Sequence, residues 1–206
     1  MADVYATLFE RIIAGQYRAD TRLKEEELAE EFGISRTPVR EALRQLAQDG
    51  LVQILPKRGT RVIGFTVDDV EEIYEIRKSL EVQALHSSIP FLSIQGLKSI
   101  RDELLALANS NDPHLHESVD AKLHNYFIDS SGKKRLISLL SQMFRLIQRF
   151  RDLGFSDPQV RKTALRAHLD LLEALSMRDL DTAEQVLKAH IDESKKNAVS
   201  LILKGS

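Results

Sequence analysis

Two sets of side chains in this 206-residue chain have types and spacings suited to chemistry. The first is one aspartate with three histidines. Asp120 and His124 are four residues apart, so in a helix they share a face, which Phe127 and Ile128 continue. His168 falls in the apolar stripe of Ala164, Leu171, Leu172 and Leu175, and His190 in that of Ala183, Val186, Leu187 and Ile191. Two readings stand side by side: histidines satisfied within a core, or ligands for a divalent cation. A lone inward histidine is ordinarily a core residue. Three of them beside an inward carboxylate ask for more, because an isolated buried carboxylate is costly. A divalent cation would satisfy all four groups at once.

The second set is Arg36, Arg40 and Arg44, one helical turn apart and opposite the apolar positions Val39, Ala42, Leu43 and Leu46. Upstream, Leu28, Ala29 and Phe32 give a short helix its apolar edge, and Gly33 supplies a break. Ser35 and Thr37 are both capping types, and Pro38 fits a first turn. This is the layout of a helix-turn-helix whose second helix enters a DNA major groove. The plainer alternative is a surface helix with solvated arginines. The segment after the helix favours the first reading. Leu51, Val52, Ile54 and Leu55, then Val62 and Ile63, are β-leaning runs on either side of residues 56–60. A hairpin with a basic tip at that place is a wing, where Gly59 allows close backbone approach and Lys57, Arg58 and Arg61 carry charge. Apart from Glu41, little within the segment opposes a polyanion.

Around these sets the periodicity is almost wholly helical. A first helix is expected from Val4 to Gly15, packing Leu8, Phe9, Ile12 and Ile13 behind the helix-turn-helix, with a connector from Gly15 to Leu23. Thr66 and Asp69 form a capping-box-like start for a helix reaching Leu85. Further helices are expected at 94–107, 112–129, 134–153, from Ser156 or Asp157, and from about 179 to 203. The fold class is therefore mainly α: a winged helix-turn-helix over residues 1–65, then an all-α antiparallel bundle of six to seven helices over 66–206. Two further features belong to this second part. Arg77 lies on the inward stripe of Ile73, Leu80 and Ala84, as an internal salt bridge or as a clamp for a carboxylate. Arg145 and Arg149 share a polar stripe with Ser138 and Gln142. His86, His114 and His116 read as surface residues.

Composition narrows the class further. Net charge is only −2, but it is unevenly spread. Residues 1–35 hold four Lys/Arg and eight Asp/Glu, whereas residues 36–61 hold six and two. The positive charge is thus confined to the expected recognition helix and wing, a distribution that predicts salt-sensitive binding to a polyanion. There is no cysteine, hence no disulfide framework and no thiolate metal site. No apolar run is long enough to span a bilayer, and the first residues carry acidic groups where a signal peptide has basic ones. No membrane partner and a cytoplasmic location are expected.

The segment LKEEELAEEFGISRTPVREALRQLAQDGLV followed by PKRGTRV resembles the winged helix-turn-helix of the GntR family of bacterial transcription regulators. That resemblance implies DNA contacts from Arg36, Thr37, Arg40 and Arg44, and from Arg58, Gly59 and Thr60 of the wing. Some relatives place a basic contact near position 26; this chain has Glu26, so none is carried over. The second half resembles the FadR C-terminal (FCD) domain, on IYEIRKSLE at 73–81, the Asp120/His124 pair, AHLDLLEALSMRD at 167–179 and AxxVLKAHI at 183–191. It implies Asp120, His124, His168 and His190 as ligands of a divalent transition metal, zinc foremost, with nickel or manganese as alternatives. It also implies an effector pocket that includes Arg77, to which the stripe of Arg145 and Arg149 is added.

The expectation is a homodimeric regulator, a repressor in its commoner form, that binds a palindromic double-stranded operator. A small organic acid at the metal site would control its affinity. The rivals are a regulator that senses metal alone, or a metallohydrolase fused to a DNA-binding module. Against the latter, no HExxH motif is present, and Glu173 is five residues from His168, on a different face. No enzyme is expected.

Overall fold

The structure is a computed structural model that describes residues 4–56, 58–63 and 66–205, without the side chains of Ile13, Arg145, Gln148, Arg149, Asp152 and Lys204. The chain divides into two compact units, Met1–Val70 with Ser200–Ser206, and Glu71–Val199.

In the first unit, α1 (Val4–Ile13), α2 (Glu25–Phe32) and α3 (Arg36–Gln48) surround a small apolar core. Leu8, Phe9, Leu28, Val39, Leu43 and Leu46 are all buried there. Each such side chain contributes roughly 1.5–3 kcal/mol of burial. The turn between α2 and α3 depends on Gly33, which closes α2 in the left-handed region at φ 64°. Ser35 stands at the start of α3, but its side chain makes no capping bond. Strands β2 (Val52–Leu55) and β3 (Gly59–Val62) form the expected hairpin, in register from Val52↔Val62 to Leu55↔Gly59. A two-residue strand, β1 (Arg22–Leu23), pairs with β3 on its other side, giving the sheet order β1-β3-β2. The segment expected to be a plain connector is therefore part of the sheet. Its turn places Asp20 at φ 67°, a conformation that aspartate tolerates better than most residues. Lys57 and Phe65, expected at the wing tip and at the domain boundary, lie outside the described residues.

The second unit is helical throughout: α4 (Val67–Ser88, entering it at Glu71), α5 (Ile94–Ala106), α6 (Pro113–Ser130), α7 (Lys134–Gly154), α8 (Pro158–Ser176) and α9 (Leu180–Gly205, leaving it at Val199). Short 3-10 turns follow α4 and α5. The starts follow local chemistry. Thr66 and Asp69 exchange bonds ahead of α4, Thr66 N–H to Asp69 at 2.8 Å and Asp69 N–H to Thr66 at 3.1 Å. Asp112 accepts from His114 N–H at 3.0 Å and Asp157 from Gln159 N–H at 2.7 Å, each followed by a proline that needs no partner. Leu123, Phe127, Leu140, Ile147, Leu171, Leu175, Leu187 and Ile191 pack between the helices. Among the described residues no helix is long and apolar enough to cross a membrane.

Candidate functional site

On α3, Val39, Leu43 and Leu46 hold the helix to its core, which leaves Arg36, Thr37, Arg40 and Arg44 exposed along one side. Arg58 and Gly59 are exposed at the end of the hairpin, with Gly59 at φ 81°. A β-carbon at Gly59 would stand 3.4 Å from the Leu23 carbonyl, so both the turn and the neighbouring strand favour glycine. Thr60 differs: it is 4% exposed, tucked into the three-stranded sheet, so of the three expected wing residues only two offer their surface. Arg61 is engaged by Asp20 at 3.1 Å and Gln53 at 2.7 Å. The expectation that little opposes the arginines needs correcting. Carboxylates from α2 reach them: Glu26 accepts from Arg36 at 2.7 Å, and Glu25 accepts from Arg40 Nε and Nη2 at 2.7–3.0 Å. These partners lie 10 and 15 residues away in the chain, where reading α3 by itself does not find them.

The second unit brings Asp120, His124, His168 and His190 together. One ligand atom from each lies within 4.8 Å of all the others, and the group is buried. The aspartate and His124 come from successive turns of α6, His168 from α8 and His190 from α9. Asp120 Oδ1 stands 3.0 Å from His168 Nε2, 3.8 Å from His190 Nε2 and 3.9 Å from His124 Nε2. The Nε2 atoms of His168 and His190 are 3.3 Å apart. Ligands bound at about 2.0–2.2 Å to one ion are spaced by roughly these distances.

Glu81 on α4 was not among the expected site residues. It accepts from His124 Nδ1–H at 2.5 Å and from Arg77 Nε–H, and all three side chains are buried. Burial would raise the Glu81 carboxyl, but the charge of Arg77 and the hydrogen bonds from His124 and Arg77 hold it at about 2. An ionised carboxylate only accepts, so Nδ1 of His124 carries a proton and Nε2 is the nitrogen turned toward Asp120, His168 and His190. That Nε2 is buried with no hydrogen-bond partner. A carboxylate fixing one histidine nitrogen while the other faces a ligand cluster is the usual support for a metal-binding imidazole. Burial pushes His168 and His190 well below the ordinary histidine value, reinforced by the nearby charges of Arg77 and Arg151, so both stay neutral. A neutral imidazole is the form that binds metal. The donor set, the orphaned Nε2 and the neutral histidines all fit a divalent cation.

Beside the cluster is a cavity of about 330 Å³, lined by Arg77, Asp120, Arg151, His190, Ser194 and Asn197 among others. Arg77 is 1% exposed and forms an ion pair with Glu81 one turn along its own helix, not with a neighbouring one. Its Nη1 nevertheless has no partner. Arg151 of α7, also missed from sequence, abuts the second oxygen of Asp120. Burial and the nearby Arg77 charge bring its guanidinium down to about 10, still a cation at neutral pH. Arg151 sits in the last turn of a strongly amphipathic helix, where a basic residue ordinarily serves the helix end, so its sequence position carried no signal. The side chains of Arg145 and Arg149 lie outside the described residues. His116, read as a surface residue, is buried and bonds the Ser110 carbonyl at 3.0 Å. His114 is exposed, and His86 pairs with Glu184 at the surface.

A winged helix-turn-helix followed in the chain by an all-helical unit with a ligand-sized cavity defines a class, the DNA-binding transcription regulators. Residues 1–62 match the gntR family of bacterial regulatory proteins, and residues 72–193 match the FCD domain. The chain is 30% identical over 192 residues to the uncharacterized HTH-type transcriptional regulator YdhC of Bacillus subtilis, covering 91% of this chain and 86% of that one. It is 26% identical to the HTH-type transcriptional repressor RspR of Escherichia coli, with coverage of 92% and 85%. Among solved structures, Lar, described as controlling the Listeria monocytogenes agr system, superposes with a TM-score of 0.71 at 20% identity, covering 97% of both chains. The chain belongs to the GntR family of transcriptional regulators, in the FadR-type group that carries an FCD domain.

Proposed function

We propose that this regulator is a homodimeric repressor whose operator affinity is set by a small carboxylate bound beside a divalent metal. The DNA contacts in this reading are Arg36, Thr37, Arg40 and Arg44 of α3 with Arg58 and Gly59 of the wing, and Thr60 through its backbone. The head ends at about residue 65, and the remainder binds ligand and partner. Two heads related by a twofold axis read a palindromic operator. Repression follows the relative named as a repressor.

The single observation that carries the ligand half is the buried Asp120/His124/His168/His190 group next to a cavity that also receives Arg77 and Arg151. Those four residues would hold the ion, which supplies positions for an oxygen ligand. Glu81 orients His124, while Arg77, whose Nη1 has no partner, and Arg151 present guanidinium donors at the cavity wall to the oxygens of an acid. The cavity suits a small organic acid, with Ser194 and Asn197 as neutral polar groups. Such a ligand changes operator affinity only through a difference in its affinity for two arrangements of the dimer.

The test is elemental analysis of purified protein by plasma mass spectrometry, beside a His168→Ala, His190→Ala double variant. About one zinc, nickel or manganese per chain, lost in the variant, is expected. Carboxylates are then screened for their effect on binding to a selected duplex. No metal retained after reloading with all three ions would remove the metal from this reading. Control of duplex binding by metal, with no response to any carboxylate, would make the ion itself the signal.

A further inference from the structure

Three glutamates open α2, and the simplest account of them is that they complement the helix dipole. Their partners divide them. Glu27 pairs with Lys24 at 2.6 Å, within its own turn. Glu25 and Glu26 instead cross to the recognition helix. Glu25 receives three hydrogen bonds from one edge of Arg40, from Nε at 3.0 Å to each oxygen and from Nη2 at 2.7 Å. Glu26 receives one from Arg36 Nη1 at 2.7 Å. The hydrogen bonds from Arg40 hold the Glu25 carboxyl below its ordinary value against its desolvation, helped by the charges of Arg40, Arg36 and Arg44. Arg36, Glu26 and Arg40 are exposed and Glu25 is half-buried, and ion pairs so open to solvent contribute little to stability. Their consequence lies in what the arginines can bind.

A free guanidinium attracts a phosphate by its net charge. A guanidinium already matched to a carboxylate is a nearly neutral unit, and an approaching phosphate meets the carboxylate's charge as well. Its unused N–H groups remain directional donors. In Arg40 the Nε/Nη2 edge is occupied by Glu25, which leaves the Nη1 end as the donor available to an incoming acceptor. The O6 and N7 atoms of guanine are neutral acceptors that such donors recognise, with no net charge to be repelled. We infer that Glu25 and Glu26 are specificity-determining residues: by neutralising Arg40 and Arg36 they weaken phosphate contacts and reserve those guanidiniums for base edges. Specificity then comes partly from a penalty on the wrong complex. The inference rests on the assignment of α3 to the major groove.

The test compares the full-length wild type with Glu25→Gln, Glu26→Gln and with Glu27→Gln, by fluorescence anisotropy on a mixed-sequence duplex over a range of sodium chloride. Each freed arginine adds up to about 0.9 to the magnitude of the slope of log K against log salt. The double variant should bind the mixed duplex several-fold more tightly at low salt, with a slope steeper by about one to two. In selection from a random-core duplex library it should enrich a less defined sequence. Glu27→Gln removes a charge from the same helix turn without freeing a recognition-helix arginine, so its slope should match wild type. A double variant whose slope matches that of Glu27→Gln overturns the inference. Arg36→Gln, Arg40→Gln separates the two levels. If it weakens binding while the glutamate variants change nothing, only the carboxylate role fails. If it leaves binding unchanged, the groove assignment fails and the inference with it.

Discussion

At His124 a single proton decides whether the cluster can hold a metal. Glu81 accepts from Nδ1 and so turns the partnerless Nε2 toward Asp120, His168 and His190, where a metal would meet it. Glu81→Gln retains an oxygen at that place but removes the charge that selects the tautomer. Its metal affinity should fall by about 10- to 100-fold in a competition titration, the usual effect of losing such a support; an unchanged affinity would leave Glu81 as a counter-ion for Arg77 alone. The same residues make the metal-free protein acid-sensitive. His168 and His190 are depressed by burial, so they stay neutral in the fold while the unfolded chain takes up protons near the ordinary value of 6.5. Their contribution to stability is present above pH 6.5 and is lost as pH falls from there toward their folded values. Glu81, held at about 2, adds a second loss below its ordinary value of 4.5. The urea midpoint of metal-free protein should therefore decline from pH 7 to pH 5. In the His168→Ala, His190→Ala variant the decline should be shallower, and an equal slope would assign the acid sensitivity elsewhere.

At the scale of elements, the recognition helix depends on how α2 ends. Gly33 takes φ 64°, and its N–H and that of Ile34 close on carbonyls of the last turn, Glu30 at 3.2 Å and Ala29 at 3.0 Å. A β-carbon there would meet nothing within 4 Å. The cost of Gly33→Ala is therefore backbone strain alone, about 1–2 kcal/mol for an L-residue in the left-handed region. Chemical denaturation should show that loss, and α3 should retain its register because its own apolar contacts are untouched. A cost well above that range would mean that the turn had rearranged. Ser35, which makes no capping bond, should tolerate alanine much better.

At the scale of the whole molecule, four ligand residues on three helices mean that a bound ion ties α6, α8 and α9 together in the folded state only. Binding that is absent from the unfolded chain adds about 2.7 kcal/mol of stability when free ligand is at a hundred times its dissociation constant. Zinc should accordingly raise the thermal midpoint of the wild type, and a chelator should reverse the rise. The double histidine variant should respond to neither. A midpoint in the wild type that ignores zinc, nickel and manganese would contradict the metal centre. A carboxylate that uses the cavity should add a second, metal-dependent rise.

The sequence by itself determined whatever repeats or caps locally. The apolar stripe of α3, the glycine at the end of α2, the hairpin from Val52 to Val62, the Thr66/Asp69 box and the pairing of Asp120 with His124 on one face were all legible, because each is written within a turn or a strand pair. The inward stripes of α8 and α9 also pointed His168 and His190 toward a common core. What only the tertiary structure decided is which distant side chains meet. Arg22 and Leu23 become a strand because β3 offers them an edge. Glu81 reaches His124 across 43 residues, and Arg151 reaches Asp120, through helix packing that no single period encodes. His116 is buried by its neighbours, although it stands in a polar first turn. Glu25 and Glu26 look like a helix-dipole cluster until α2 and α3 cross and set them against Arg40 and Arg36. Local patterns set which face a residue occupies, but burial and charge partners depend on what the opposing element brings to that face.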